Sequence, residues 1–395
     1  MSTRRFHFVI PLALGLVVGM SACSSSSPSK ATPSITTTQT TSPGTTPSTS
    51  HSTPKIGHVF VINLENENYV TTWGPSSPAK YLNTVLRTQG QLLTHYFAIG
   101  HASLDNYIAQ ISGQSPNADT QGDCVTYRDF ASTGTGAYGQ LLGKGCVYPK
   151  SVLTIADQLD AAGKTWKSYQ EDIGNSSTDP KTCRHPELNA VDKTFAPPKG
   201  DLYVTRHNPF VYFHSIIDSP ICAKDVVGLD ALPTDLQSVS TTPNLSYITP
   251  NSCNDGHDQP CNDGRLGGLS TADTWVKQWV PKILASAAFK TDGLLVITLD
   301  EAEIGNAPAE VSACCHTPPS PNSPMPGFSG PGGGNVGALI ISPFTKPDTT
   351  NATPYNHYAL LCSIENAFGL GHLGFAGGPG LTCFGKDVYD ATPPN

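Results

Sequence analysis

Apolar positions in this chain fall into short continuous runs and longer interrupted ones, and these alternate along the sequence. His58 to Leu64 (HVFVINL), Leu245 to Thr249, Leu294 to Leu299 (LLVITL) and Ala338 to Ser342 (ALIIS) are continuous and rich in β-branched residues, the pattern of buried strands. Gln91 to Ala98 and Thr165 to Gln170 read as two further strands. Between them, helical spacing appears with stop signals in place. Pro78 to Gln89 has proline near its start and Gly90 past its end, and Leu153 to Ala162 is stopped by Gly163. Ser103 to Ser112 is ended by Gly113, Thr271 to Ser286 carries two tryptophans four apart, and His357 to Phe368 precedes Gly369. Strand and helix alternation of this kind predicts an α/β sandwich around a mainly parallel central sheet, with ligand sites at the carboxyl ends of the strands. The Pro/Gly-rich stretch 318–334 reads as a surface loop, and no internal repeat is present.

The N-terminal region departs from this pattern. Arg4 and Arg5 precede an apolar run from Phe8 to Val18, and Met20-Ser21-Ala22-Cys23 follows, which is the layout of an export signal. The run is too short for a membrane span, which needs roughly 20 residues. Cys23 sits where a bacterial lipobox carries its lipidated cysteine, with Met20 where that pattern prefers leucine, so residues 1–23 are expected to be a signal peptide and Cys23 a membrane anchor; the alternative is an ordinary signal peptide cleaved near Ala22 and a secreted protein. Residues 24–55 are Ser-, Thr- and Pro-rich without an acid; they cannot bury a core and are expected to be a disordered tether. That leaves 56–395 as one folded domain.

Cysteines and charge narrow the class further. Of 11 cysteines, Cys23 aside, an even number remains, which in an exported chain suggests disulfides. Short loops make Cys124–Cys146, Cys253–Cys261 and Cys362–Cys383 plausible pairs, while the absence of any CxxC spacing argues against a structural zinc. With four of its 23 basic residues and none of its 31 acidic ones before Ile56, the folded part carries a net −12. An acidic domain is a poor partner for nucleic acid, so any affinity for phosphate must come from a local site. The sequence leaves oligomeric state open.

Candidate chemistry gathers at strand ends. Glu65-Asn66 follows the first strand and Asp300-Glu301 follows LLVITL. Carboxylates at neighbouring strand tips repel unless something positive sits between them, and a divalent cation with oxygen ligands resolves this. Glu65, Asn66, Asp300 and Glu301 are the candidate metal ligands. Ser103, at the first position of its helix, has two readings: an N-cap, or a hydroxyl that attacks phosphorus while helix N–H groups and the helix dipole hold the phosphate. A cation beside it would lower the hydroxyl pKa and neutralise a phosphoryl oxygen. His257, flanked by Asp255 and Asp258 in the turn after Leu245–Thr249, suits a general acid, and His207 lies in the polar Arg206–Pro209 loop. His101 and Asp258, with His357 before the last helix, are further candidates for substrate contact; His58, His95 and His372 read as structural.

Taken together, LENENY (64–69), GHASLDNYIAQISG (100–113), RHNPFVYF (206–213), ITPNSCNDGHD (248–258), LLVITLDEAE (294–303) and HYALLCSIENAFGL (357–370) resemble, in order, the signature blocks of the phosphoesterase family. That family includes secreted bacterial acid phosphatases and phospholipases C and belongs to the alkaline phosphatase superfamily. The resemblance implies an alkaline-phosphatase-like three-layer α/β/α sandwich and Ser103 as nucleophile with Asn106 on the phosphate. It also implies a divalent metal on Glu65, Asn66, Asp300 and Glu301, and His207 and His257 at the phosphate or leaving group. Two departures stand out: Asp105 where proline is common, and Glu67 where the early block, usually closer to ENRSF, has a basic residue. The expected activity is an acid phosphatase acting on a small phosphorylated substrate or phospholipid head group. A phospholipase C-type phosphodiesterase and a non-catalytic phospholigand-binding lipoprotein are the alternatives.

Overall fold

The computed structural model describes residues 54–304 and 309–390; the signal peptide, Cys23 and nearly all of the tether lie outside the described residues. The continuous apolar runs form the middle of an eight-stranded sheet. Its strands are β1 (His58–Leu64), β2 (Gln91–Leu93), β3 (Trp166–Gln170), β4 (Val226–Gly228), β5 (Leu245–Thr249), β6 (Gly293–Leu299), β7 (Ala338–Ile341) and β8 (Thr349–Asn351). They lie in the order β8-β2-β7-β6-β1-β5-β3-β4. Every residue of β1, β5 and β6 is buried, which is why these runs lack polar alternation. Register pairs Val59 with Leu245 on one side of β1 and with Leu294 on the other.

All neighbouring pairs are parallel except those made by β7, which runs against both β6 and β2. The apolar run predicted the strand but carries no information about its direction. The expected strand over 91–98 divides: Gln91–Leu93 joins the sheet, the chain steps out at Thr94–His95, and Tyr96–Phe97 pairs instead with Tyr355–Asn356.

Helices surround the sheet. Three of them, α1 (Ser103–Ser112), α2 (Ile155–Ala161) and α4 (His357–Phe368), pack on one another. A long helix, α3 (Gly268–Ala285), packs on the expected 78–89 helix, which is wound wide over Tyr81–Leu86 and tight over Arg87–Gln89. Its Asp273 carboxylate caps that turn through the backbone N–H groups of Tyr81 and Leu82, at 2.9 and 2.7 Å. Helix α1 is buried along its whole length and ends at Gly113, φ +66°, where a Cβ would meet the Leu373 carbonyl; only glycine fits. Among the described residues all ten cysteines are paired, as Cys124–Cys146, Cys183–Cys222, Cys253–Cys261, Cys314–Cys315 and Cys362–Cys383. The three short-loop pairs are those the spacing suggested.

Helix α4 also buries Glu365, whose Oε1 accepts the Leu373 N–H at 2.8 Å while Oε2 has no partner. Burial pushes this carboxyl up to about 8. Its folded value lies above the unfolded one, so its stability contribution is complete at low pH and is lost as pH rises from the ordinary range through about 8. Glu365→Gln keeps the acceptor and removes the ionisation. It should stabilise the fold by about 2–4 kcal/mol at about pH 9 and by almost nothing at about pH 4, read from thermal melts at the two pH values.

Candidate active site

The tips of three adjacent strands, β6, β1 and β5, are stitched into one floor. Asp300 donates its backbone N–H to the Leu64 carbonyl at 3.0 Å, and Glu65 donates its own to the Asp255 carbonyl at 2.9 Å. Asn66 turns with φ +52°, a left-handed conformation asparagine tolerates. That turn brings its N–H to Asp300 Oδ1 at 3.1 Å and its side-chain Nδ2 to Glu301 Oε1 at 3.1 Å. The turn therefore brings Asn66, Asp300 and Glu301 together, next to Glu65 at the end of β1.

Ser103 enters this floor from above. Its helix is capped by the backbone of Ala102 with no side-chain cap, so Ser103 is the first helical residue and not the cap the simpler reading would have made it. Its hydroxyl is buried and donates to Glu65 Oε2 at 3.0 Å. The other Glu65 oxygen accepts from the Tyr107 hydroxyl at 2.5 Å. Tyr107, four residues on and so on the same helix face, stacks on the His207 ring with centroids 5.4 Å apart and planes within 7°. His207 lies between two acids, Nε2 at 3.4 Å from Glu65 Oε2 and Nδ1 at 3.1 Å from Asp255 Oδ2. The His257 ring centroid is 6.1 Å from that of His207. His257 Nδ1 meets Asp258 Oδ1 at 2.9 Å, and Asp258 Oδ2 accepts from Ser252 at 2.8 Å.

Electrostatics mark the floor as short of positive charge. Burial, then the charges of Asp300 and Asp255, drive Glu65 well above the ordinary carboxyl range. Burial, with Asp300, Asp105 and Asp123 nearby, does the same to Glu301. Burial also raises Asp255 strongly and Asp300 to about 6, and holds the His207 imidazole far below its usual value, with Arg206 and His257 adding to the effect. Buried acids at this density call for a cation. Donor atoms of Glu65, His207 and Asp255 lie within 4.8 Å of one another, and Asn66 Oδ1 and Asp300 Oδ2 are buried without a partner. An oxygen-rich set with one imidazole fits a divalent ion.

Three expected contacts with substrate are not available. Asn106 uses its whole amide on the loop before Ser103: Oδ1 accepts from Ile99 and Gly100 at 2.8 and 3.1 Å, and Nδ2 donates to the Gly100 and Ala102 carbonyls at 2.9 and 3.1 Å. It shapes the approach to Ser103 and has nothing left for a phosphate. His101 is buried with Nδ1 on Glu301 Oε2 at 3.1 Å and Nε2 on the Glu310 carbonyl at 2.7 Å, which makes it a strut for Glu301. His357 is fully buried, its Nε2 at 2.6 Å from the Asp300 carbonyl and its Nδ1 facing Tyr96 and Gln110, so it props the strand tip from beneath. Asp258 reaches the site only as the partner of His257. Conversely, Asp255 and Tyr107 belong to the site and were not among the expected functional residues. Asp255 carries the same signal as Glu65 and Asp300, an acid just past a buried strand.

The phosphoesterase family model matches residues 33–371. The chain is 27% identical over 313 residues to the phosphate-repressible acid phosphatase of Penicillium chrysogenum, covering 79% of this chain and 60% of that protein. It is 23% identical over 323 residues to the phosphatidylinositol-3-phosphatase of Mycobacterium tuberculosis, covering 82% and 80%. It thus spans about 60% of the length of that fungal relative. Among solved structures, the phosphonate monoester hydrolase from Silicibacter pomeroyi aligns over 86% of this chain and 78% of its own, at 11% identity and TM-score 0.47. An alkaline phosphatase superfamily protein from Vibrio parahaemolyticus aligns over 80% and 67%, at 12% and 0.43.

Proposed function

The chain belongs to the phosphoesterase family, and from that premise we propose that it hydrolyses phosphate monoesters as an acid phosphatase, through a phosphoryl group carried on Ser103. The observation that supports this most directly is the Ser103 hydroxyl, 3.0 Å from Glu65 Oε2, at the first position of a helix whose Leu104 N–H is held by Asp123 Oδ1 at 3.0 Å and whose other first-turn N–H groups have no intrahelical partner. Ser103 Oγ attacks phosphorus in line with the departing oxygen, and its hydrogen passes to Glu65. The bond from phosphorus to the leaving oxygen breaks as that oxygen takes a proton from His257, whose Nδ1 is engaged by Asp258 so that Nε2 serves the substrate. Water then attacks phosphorus, giving a proton to His257, as the bond to Ser103 Oγ breaks and that oxygen recovers its hydrogen from Glu65, which frees phosphate and restores the starting state. Glu65, Asn66, Asp300 and Glu301, joined by His207 and Asp255, would hold a divalent cation, which offsets the clustered carboxylates and neutralises a phosphoryl oxygen. The Tyr107 hydroxyl keeps Glu65 aligned throughout.

The domain 56–395 would do this outside the membrane, tethered by 24–55 to a lipid on Cys23. Among the described residues no helix is long and apolar enough to cross a membrane. The substrate is then a small phosphorylated molecule or a phospholipid head group.

The test compares 4-nitrophenyl phosphate with bis(4-nitrophenyl) phosphate, with added divalent cations and after chelation. Monoester turnover that needs the cation is the expected result. Preference for the diester would move the reading to a phospholipase C-type phosphodiesterase. No turnover of either with any cation would leave a phospholigand-binding lipoprotein.

A further inference from the structure

A pocket of about 230 Å³ lies between the Pro/Gly-rich loop 318–334 and the first turn of α4. Exposed Ala313, Pro319, Pro324 and Pro331 form its mouth, and buried Ile99, Tyr358 and Phe375 form its floor. Six of its sixteen lining residues are prolines, and none is Asp, Glu, Lys, Arg or His. Proline rings fix the backbone, and short side chains such as Ala98 have nothing to fold inward. The walls therefore stay apart where flexible methionines would close the gap. Protein interiors keep few voids larger than a water molecule, and an apolar cavity of about 150 Å³ already holds benzene. The pocket lies on a different face of α1 from the phosphate-binding floor. Ile99 packs there with Ala109, Tyr358 and Phe375, whereas Ser103 and Tyr107 turn toward Glu65.

Polar side chains on the wall satisfy one another, with one exception. Ser320 Oγ lies 3.1 Å from Ser115 Oγ and 2.8 Å from the Pro116 carbonyl. Asn356 Nδ2 donates to Thr317 Oγ1 at 3.0 Å, and its Oδ1 accepts the Ala359 N–H at 3.0 Å. The exception is Tyr358, which is fully buried and whose hydroxyl has no partner among the described residues. Its ring stands edge-on to Phe375, with centroids 5.6 Å apart and planes at 85°. A buried hydroxyl without a partner is costly, and an acceptor brought by a ligand removes that cost. A charged ligand would leave water and meet no counter-charge. Walls of proline and aromatic rings suit a third kind of flat surface, another ring. We propose that this pocket binds a neutral aromatic molecule, one substituted ring or two fused rings, that carries a hydrogen-bond acceptor for Tyr358. It is a second site, and it stands whether or not Ser103 is the nucleophile.

The experiment titrates the full chain by ligand-observed NMR with three probes. Acetophenone has the ring and an acceptor, isopropylbenzene has a similar shape without the acceptor, and benzoate has the ring with a charge. Acetophenone should bind with Kd of about 1 mM or tighter, and benzoate at least about tenfold more weakly. Tyr358→Phe should weaken acetophenone by about fivefold and leave isopropylbenzene unchanged or tighter. Ala313→Phe, at the exposed mouth, should block both rings while the melting midpoint stays within a few degrees. Inorganic phosphate should displace neither. Should Tyr358→Phe not fold, Ala313→Phe and the comparison of charge on wild type still decide. Equal changes for both rings in Tyr358→Phe overturn the role of the hydroxyl. Acetophenone that fails to saturate, that binds wild type and Ala313→Phe alike, that phosphate displaces, or that benzoate matches in affinity overturns the site.

Discussion

Ser103→Ala is expected to lower kcat for an aryl phosphate by roughly four orders of magnitude while leaving the thermal midpoint within a few degrees. Both halves of that expectation come from how the residue is held. Its hydroxyl makes one hydrogen bond, to Glu65 Oε2, and caps nothing, because the N-cap is Ala102 without a side-chain bond. Alanine is a good helix former at such a position, so the fold loses at most about 1 kcal/mol of net hydrogen bonding. A serine that served only as a cap would behave in the opposite way, costing about 0.5–2 kcal/mol of stability and none of the activity. Acid quenching of the wild type with substrate should also trap phosphate on the peptide containing Ser103, detectable by mass spectrometry and missing in the variant. Activity within tenfold of wild type in a folded Ser103→Ala protein would refute the nucleophile.

What the sequence made legible here follows burial. Strands β1 and β6 announce themselves because both faces are covered, and the turn signals Gly113 and Gly369 close α1 and α4 where expected. The direction of β7 was not legible, because ALIIS reads the same whichever way it pairs. Nor was the break at Thr94–His95, set by whether the chain pairs with β7 or with Tyr355–Asn356. In the site, position after a buried strand found Glu65 and Asp300 and contained the signal for Asp255. It failed where a side chain hydrogen-bonds equally well to substrate or to backbone. The Asn106 amide, the His101 ring and the His357 ring all spend their polar atoms on the protein, Asn106 on the loop just before it and the two rings on partners distant in sequence such as the Glu310 and Asp300 carbonyls. Residue type alone does not distinguish a group that touches phosphate from one that holds such a group in place. The same ambiguity hid Tyr107, whose hydroxyl and ring face serve Glu65 and His207 at once.

Adding a divalent cation to chelated protein is expected to restore turnover from background and to raise the melting temperature by roughly 3–8 °C. The argument is one of uncompensated charge. Glu65, Asp255, Asp300 and Glu301 are all buried; burial makes each costly to ionise, and neighbouring acids add to the cost for Glu65, Asp255 and Glu301. Asn66 Oδ1 and Asp300 Oδ2 are buried oxygens without a donor, each costing about 1–3 kcal/mol while unpaired. A cation that binds the folded chain at a hundred to a thousand times its dissociation constant adds about 3–4 kcal/mol, and a domain of this size gains roughly 1–2 °C for each of them. Asp300→Asn removes one of these charges and one ligand oxygen. It should therefore melt higher than wild type in chelator, respond less to the cation, and lose most of its turnover under both conditions. A structural acid pair with no metal role predicts the reverse, a loss of stability in Asp300→Asn and no response to any ion. Melts with and without chelator, across magnesium, calcium, manganese and zinc, decide between the two, and equal melting temperatures for wild type in every condition would remove the cation from this site.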